Sequence, residues 1–147
     1  MNEYREIKTA ADAKSFYEAV NSLHDGEILS VQYAHNGFER KPDGLWCDPT
    51  KTQLCLTVLV TSIWDSVVEL VFEGVEEWQM RGSSYGPDDI FCILVEFDPN
   101  GSVVWTTGCS TEPEIMKENR YVIARSLKWR FIEDHRPQES ARKAHDL

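Results

Sequence analysis

The sequence is short of the signatures that most often declare an enzyme. It lacks the phosphate-binding G-x-x-x-x-G-K-[ST], the dinucleotide-binding G-x-G-x-x-G and the zinc-binding H-E-x-x-H. Histidine is scarce. Of His24, His35, His135 and His145, the last two fall in or near the polar C-terminal region, so His24 and His35 are the candidate bases. Neither has a Ser or Cys close by in a recognisable nucleophile context. The four cysteines, Cys47, Cys55, Cys92 and Cys109, show no C-x-x-C spacing, which argues against a zinc site or a disulfide framework. Cys55 and Cys92 sit in the apolar runs QLCLTVLV and IFCILVEF, and the expectation is buried, reduced thiols. Nothing in the sequence calls for a metal or another cofactor.

Two more absences concern location. MNEYREIKTAADAKSF contains no apolar signal core, and no apolar run approaches the roughly 20 residues that span a bilayer. A cytoplasmic protein is expected. Basic residues are also in deficit: 15 against 25 acidic ones, a net charge of -10. Such a surface repels nucleic acid and anionic membranes and attracts basic partners.

Core material, by contrast, is plentiful. The chain is 41% hydrophobic with five Trp, too rich for a disordered segment. Its 147 residues suit one domain, expected over 1–134, with a polar tail over 135–147.

The periodicity predicts the elements. Thr9 caps a helix through AADAKSFYEAVNSL, in which Ala13, Phe16, Tyr17, Val20 and Leu23 recur at helical spacing. Asp25-Gly26 ends it, with Gly26 free to take the left-handed conformation. From Glu27 the period becomes two, and Leu29, Val31, Tyr33 and His35 share its parity. His35-Asn36-Gly37 and Lys41-Pro42-Asp43-Gly44 read as turns. QLCLTVLV is apolar on both faces and reads as a central strand. SVVELVFEG follows, with a bend or bulge at Gly74. RGSSYGPDD reads as a loop. IFCILVEF and SVVWTT flank the turn Asp98-Pro99-Asn100-Gly101. Thr111 and Glu114, with Pro113, predict a short helix. RYVIARSLKWRFIE is a final strand with a basic outer face. Together these give class α+β: a mainly antiparallel sheet of about six strands, one N-terminal helix and one short later helix.

Two groups of residues are candidate sites. His24, Asp25 and Glu27, with His35 in the same row, form either a small polar site or the turn that joins helix to sheet. The turn is the simpler reading, because a metal site needs three or four converging ligands. The second group is acidic. Asp65, Glu69, Glu73, Glu76 and Glu77 run up to Trp78, and Tyr85, Asp88 and Asp89 follow. This is either an ordinary solvated sheet face or a docking surface on which Glu73, Glu76, Glu77, Asp88 and Asp89 steer a partner that Trp78 or Tyr85 anchors.

LHDGEILSV after a short helix, then VELVFEGVEEW, then IFCILVEF, resembles small bacterial families of α+β proteins, some of them immunity proteins of polymorphic toxin systems. The resemblance covers about two thirds of the chain in outline, through an apolar-His-Asp opening and an F-x-G-V element. It implies no catalytic residues. It implies a cytoplasmic binder that occludes a toxin, and the acidic charge suits a basic toxin domain. Two other readings remain: a small ligand-binding or hydrolytic enzyme with a pocket lined by His24, Glu27 and His35, and an assembly subunit that forms oligomers through an edge strand such as SLKWRF.

Overall fold

A computed structural model describes residues 3–81 and 89–137. Strand β1 (Arg5–Glu6) leads into helix α1 (Ala10–Val20). The helix begins where the sequence says it should. The Thr9 side chain accepts from Asp12 N at 3.1 Å, and Asp12 accepts in return from Thr9 N at 3.1 Å, a reciprocal capping box. It ends earlier than expected. Asn21 takes the left-handed conformation, and Asn21–Leu23 form a tight turn instead of a further helical turn. Asp25, not Gly26, then carries the positive φ, at 60°. Gly26 is needed for space: a Cβ there would lie 2.6 Å from the Leu23 carbonyl oxygen.

The strands that follow are β2 (Gly26–His35), β3 (Phe38–Lys41), β4 (Gly44–Cys47), β5 (Thr52–Val60), β6 (Ser66–Gln79), β7 (Asp89–Ile90), β8 (Leu94–Phe97) and β9 (Val103–Thr106). A short helix α2 (Pro113–Met116) precedes β10 (Tyr121–Glu133). The main sheet is larger than the six strands expected. Its order is β7-β2-β5-β6-β10-β9-β8, with β1 added beside β10, eight strands in all and antiparallel in every pair. Strands β3 and β4 pair only with each other among the described residues.

β7 and β8 stand at opposite ends of the strand order, yet residues 91–93 suffice to join them. The sheet must therefore curl until its two edges are neighbours. Long strands allow this. β6 and β10 run together for most of their length, and Gly74 (φ 66°) and a register shift opposite Ile123 and Ala124 bend them.

The core fills the inner side of the curl. Leu54, Leu56, Val58 and Val60 of β5 alternate inward, beside Leu70 and Phe72 of β6 and Leu127 and Trp129 of β10. Helix α1 packs over them. Phe16 lies on Trp129 at 5.1 Å between ring centroids, and the Tyr17 hydroxyl accepts from Val95 N at 2.7 Å. That contact ties the helix to β8 across the curl. A smaller cluster of Val104, Met116 and Tyr121 lies apart, capped by α2. SLKWRF is not a bare edge: residues 126–131 of β10 pair with β6 on one side, and on the other the short β1 pairs with Lys128 and Trp129. No helix of the described residues is long and apolar enough to cross a membrane.

Candidate functional site

Three places in this frame hold the residues singled out above.

The first is the turn at His24 and Asp25. The His24 imidazole meets the Phe91 carbonyl through Nδ1, so Nδ1 carries the proton and donates. Asp25 N donates to Ile90 O at 2.9 Å. The Ser62 hydroxyl donates to His24 O, and the Thr61 hydroxyl donates to Asp25 O at 3.1 Å. Ser62 belongs to a second turn of the same build. NSLHDG at 21–26 and TSIWDS at 61–66 both place Ser, an apolar residue and Asp at matching steps. Both contain left-handed residues, and they bind each other through Asn21 Nδ2 and Ser62 Oγ at 3.0 Å. This pairing fastens the start of β2 to the start of β6. No internal repeat stands out in the composition; only the matched Ser-apolar-x-Asp steps signal it.

Glu27 does not share a face with Val31 and Tyr33. The register on β5 runs Glu27 to Leu59 and Ile28 to Val58, then jumps to Ser30 and Thr57, so Leu29 is an extra residue. A bulge reverses parity, because side chains alternate strictly along a strand. Glu27 therefore lies on the outer side, opposite Asp89 of β7, and its charge acts on the guanidinium of Arg120, whose pKa burial lowers. His35 ends β2, nine residues beyond Gly26 and roughly 30 Å along the strand at about 3.3 Å per residue. His24 and His35 thus belong to opposite ends of β2 and line no common pocket. No group of three His, Cys, Asp or Glu among the described residues is placed to hold a metal ion.

The acidic series is the second place, and the fold disperses it. Lys128 Nζ sits 2.9 Å from Glu73, and Arg130 Nε donates to Glu69 at 2.9 Å. The basic outer face of β10 therefore lies against the acidic face of β6. Tyr4 closes over both: its hydroxyl donates to Glu69, while Lys128 and Arg130 stand 4.6 and 4.4 Å from its ring centre. Burial, followed by the Glu69 hydrogen bond, raises the Tyr4 pKa. Cys55, half-buried beside this network, has its thiol pKa raised by burial and then by Glu69. Glu76 accepts from the Ser102 hydroxyl at 2.6 Å, and Glu77 faces Tyr121, whose pKa burial and that carboxylate raise. Trp78 stacks on Tyr33 at 5.2 Å. Tyr85 and Asp88 lie outside the described residues. So does GSSYG at 82–86, which is spelled like a G-x-S-x-G nucleophile elbow around Ser84. That elbow requires a strand-to-helix turn, whereas this string falls between strands β6 and β7.

The third place is the β3–β4 hairpin. Its turn, Pro42-Asp43, is the second of the two turn signals. Its flanks FERK and GLWC are too short and too exposed to show a strand period. Phe38, Leu45 and Trp46 are 54%, 65% and 51% exposed. Phe38 faces Cys47, and Arg40 faces Leu45, so these four share one face. Trp46 is on the other, with Lys41 5.0 Å above its ring and its indole N–H donating to Asp43 at 3.1 Å. The base is held by Asn36 N to Lys51 O at 3.0 Å and Asp48 N to Gly37 O at 2.8 Å. A cleft of about 340 Å³ opens beside it, lined by Asn36, Lys51, Gln53 and Glu73.

The hairpin also makes a contact that sequence spacing hides. Cys47 Sγ lies 3.0 Å from His35 Nε2, twelve residues back. Gly37 N donates to His35 Nδ1 at 3.2 Å, so in the neutral ring the proton is on Nε2 and points at the sulfur. The ring rests on Phe38 at 4.1 Å. All four cysteines are free, and Cys92, expected to be buried, is exposed because IFCILVEF breaks between β7 and β8.

Comparison with protein-family models, curated proteins and solved structures finds no match to this chain.

Proposed function

We propose that the chain is a non-enzymatic binding protein that docks a protein partner through the β3–β4 hairpin. One observation carries this reading: Phe38, Leu45 and Trp46 are each more than half exposed on a ribbon that pairs with no strand of the main sheet among the described residues. Apolar surface held in water is stabilised by about 25 cal/mol per Å² when a partner covers it. Aromatic side chains are the usual anchors of such contacts. The net charge of -10 adds long-range attraction for a basic partner, to which exposed Glu76, Glu77 and Asp89 contribute more than ion-paired Glu73. The resemblance to immunity-protein families names the partner's kind, a basic toxin domain blocked by occlusion.

Co-expression with the product of the neighbouring gene tests it. The reading expects copurification and protection from that product's toxicity. Neither complex nor protection would contradict it.

The alternative reading, a small hydrolytic enzyme, has one observation in its favour, the His35–Cys47 contact. It requires turnover of a substrate that Cys47→Ser abolishes.

A further inference from the structure

We propose that the outer edge of β2 is a self-association site, at which β2 of a second copy pairs antiparallel and joins two sheets into one. The inference does not rest on the docking reading. It starts from how the sheet treats its edges, because a bare edge offers unpaired N–H and C=O groups to any other strand. At one end of the sheet, β8 is four residues long and carries Glu96. Its Val95 is tied to the helix: the N–H donates to the Tyr17 hydroxyl at 2.7 Å, and that hydroxyl donates to the carbonyl at 3.3 Å. Beside β10, β1 is two residues long and both are charged, Arg5 and Glu6. β2 has none of these protections. β7 covers only Gly26 and Glu27, and from Ile28 to His35 no described strand lies beyond β2. No described hydrogen bond outside the β5 ladder reaches the backbone of residues 28–34. This stretch, ILSVQYAH, contains no Lys, Arg, Asp, Glu or Pro, the residues that keep natural edges apart. Leu29 and Tyr33 are exposed along it, and Trp78 stacks on Tyr33.

A second copy is the occupant because the edge complements itself. Side chains opposed across a strand pair lie on one face, so a two-fold axis normal to the sheet must fall on a residue. An axis at Val31 would carry the second copy's β2 into the place that β7 holds opposite Glu27. An axis at Gln32 lets it end at His35, just short of β7. Val31 then opposes Tyr33 of the second copy, both on the face of Leu54 and Leu56. Ser30 opposes Ala34 of the second copy, and Gln32 opposes Gln32. No pair sets like charges together and none is a salt bridge, so backbone hydrogen bonds and apolar side chains make the contact. The chains themselves, each with a net charge of -10, repel at a distance. Salt screens that repulsion and should strengthen the dimer.

Sedimentation equilibrium of the full chain, from about 1 to about 200 µM, provides the test. One strand pair is a small interface, so a monomer–dimer equilibrium with a Kd on the order of 10 µM is expected. That Kd should fall about three- to tenfold as salt rises from about 20 to about 300 mM. Gln32→Lys sets two ammonium groups together at the axis and should raise the Kd at least about tenfold. Gln32 is exposed, so the monomer should keep the parent's circular dichroism. The substitution also lowers the net negative charge, so a contact elsewhere would tighten instead of weaken. Hydrogen exchange gives a second readout: amides of residues 28–35 should exchange more slowly at the high concentration than at the low one. A monomer at about 200 µM in both salts would overturn the proposal and leave the edge to an extended segment of another protein. A dimer that Gln32→Lys leaves intact, or one whose 28–35 amides exchange alike at both concentrations, would overturn it too, by placing the contact on another face.

Discussion

Gly37 and Asp48 cross so closely that a Cβ on residue 37 would stand 2.1 Å from the Asp48 carbonyl oxygen. The obstacle is backbone, so it has no side chain to swing away. This crossing is the hinge on which the hairpin is hung, and it brings Cys47 back to His35. Gly37→Ala is expected to destabilise the protein by about 1–3 kcal/mol, the range for forced overpacking. Thermal unfolding measures the cost, and a faster exchange of the Asp48 amide locates it. An unchanged melting temperature would show that the two segments part easily.

Helix α1 buries Ala13, Phe16 and Val20 in the core, and Phe16 is the largest of the three. Phe16 is fully buried against Trp129. Phe16→Ala should cost about 3–5 kcal/mol, as expected for a large buried ring with little room to collapse. Denaturant unfolding reads this directly. A cost under about 1 kcal/mol would mean that the helix is not part of the cooperative core.

The helix start gives an acid-side prediction. The backbone N–H of Lys8, with the Thr9 side chain, holds the Asp12 pKa below its usual 3.8. A depressed carboxylate stabilises the fold above that usual value, and the contribution disappears as pH falls through the lower folded value. Asp12→Asn should therefore be less stable than the parent at neutral pH and converge with it below about pH 4. Thr9→Ala should cost about 1 kcal/mol. Melting curves of both variants across pH 2 to 7 provide the check.

Tyr4 gives the alkaline counterpart. Burial and the hydrogen bond to Glu69 raise its pKa above the usual 10.0. A raised acid contributes stability that is complete below the unfolded value and is lost as pH rises through the folded one. The difference in melting temperature between the parent and Tyr4→Phe should be constant to about pH 9 and shrink above pH 10. A difference that grows with alkalinity would contradict the placement of Tyr4 over Glu69.

Sequence periodicity captured what local chemistry decides. The Thr9 cap, the central strand QLCLTVLV, the bend at Gly74 and the Asp98 turn are each set by residues within a few positions, and each is where expected. The errors arise where one residue changes a count. Leu29 bulges and sends Glu27 to the other side of the sheet. Asn21 turns left-handed and shortens the helix. The hairpin was readable only as a turn, because FERK and GLWC are exposed on both faces and carry no burial pattern. The acidic series looked like a stripe because its neutralising partners, Lys128 and Arg130, lie some sixty residues away. The His35–Cys47 contact depends on the same hairpin and was hidden with it.

The docking reading rests on the hairpin and is tested most directly by charging its apolar surface without touching the core. Leu45→Glu combined with Trp46→Glu alters two side chains that are more than half exposed, so the melting temperature should stay within about 2 °C of the parent. The measurement is the affinity of this double variant for the neighbouring gene product, beside that of the parent. The account predicts a loss of at least about a hundredfold, the scale of removing two anchor residues. An affinity unchanged by the double substitution would contradict it and return the contact to some other face of the sheet.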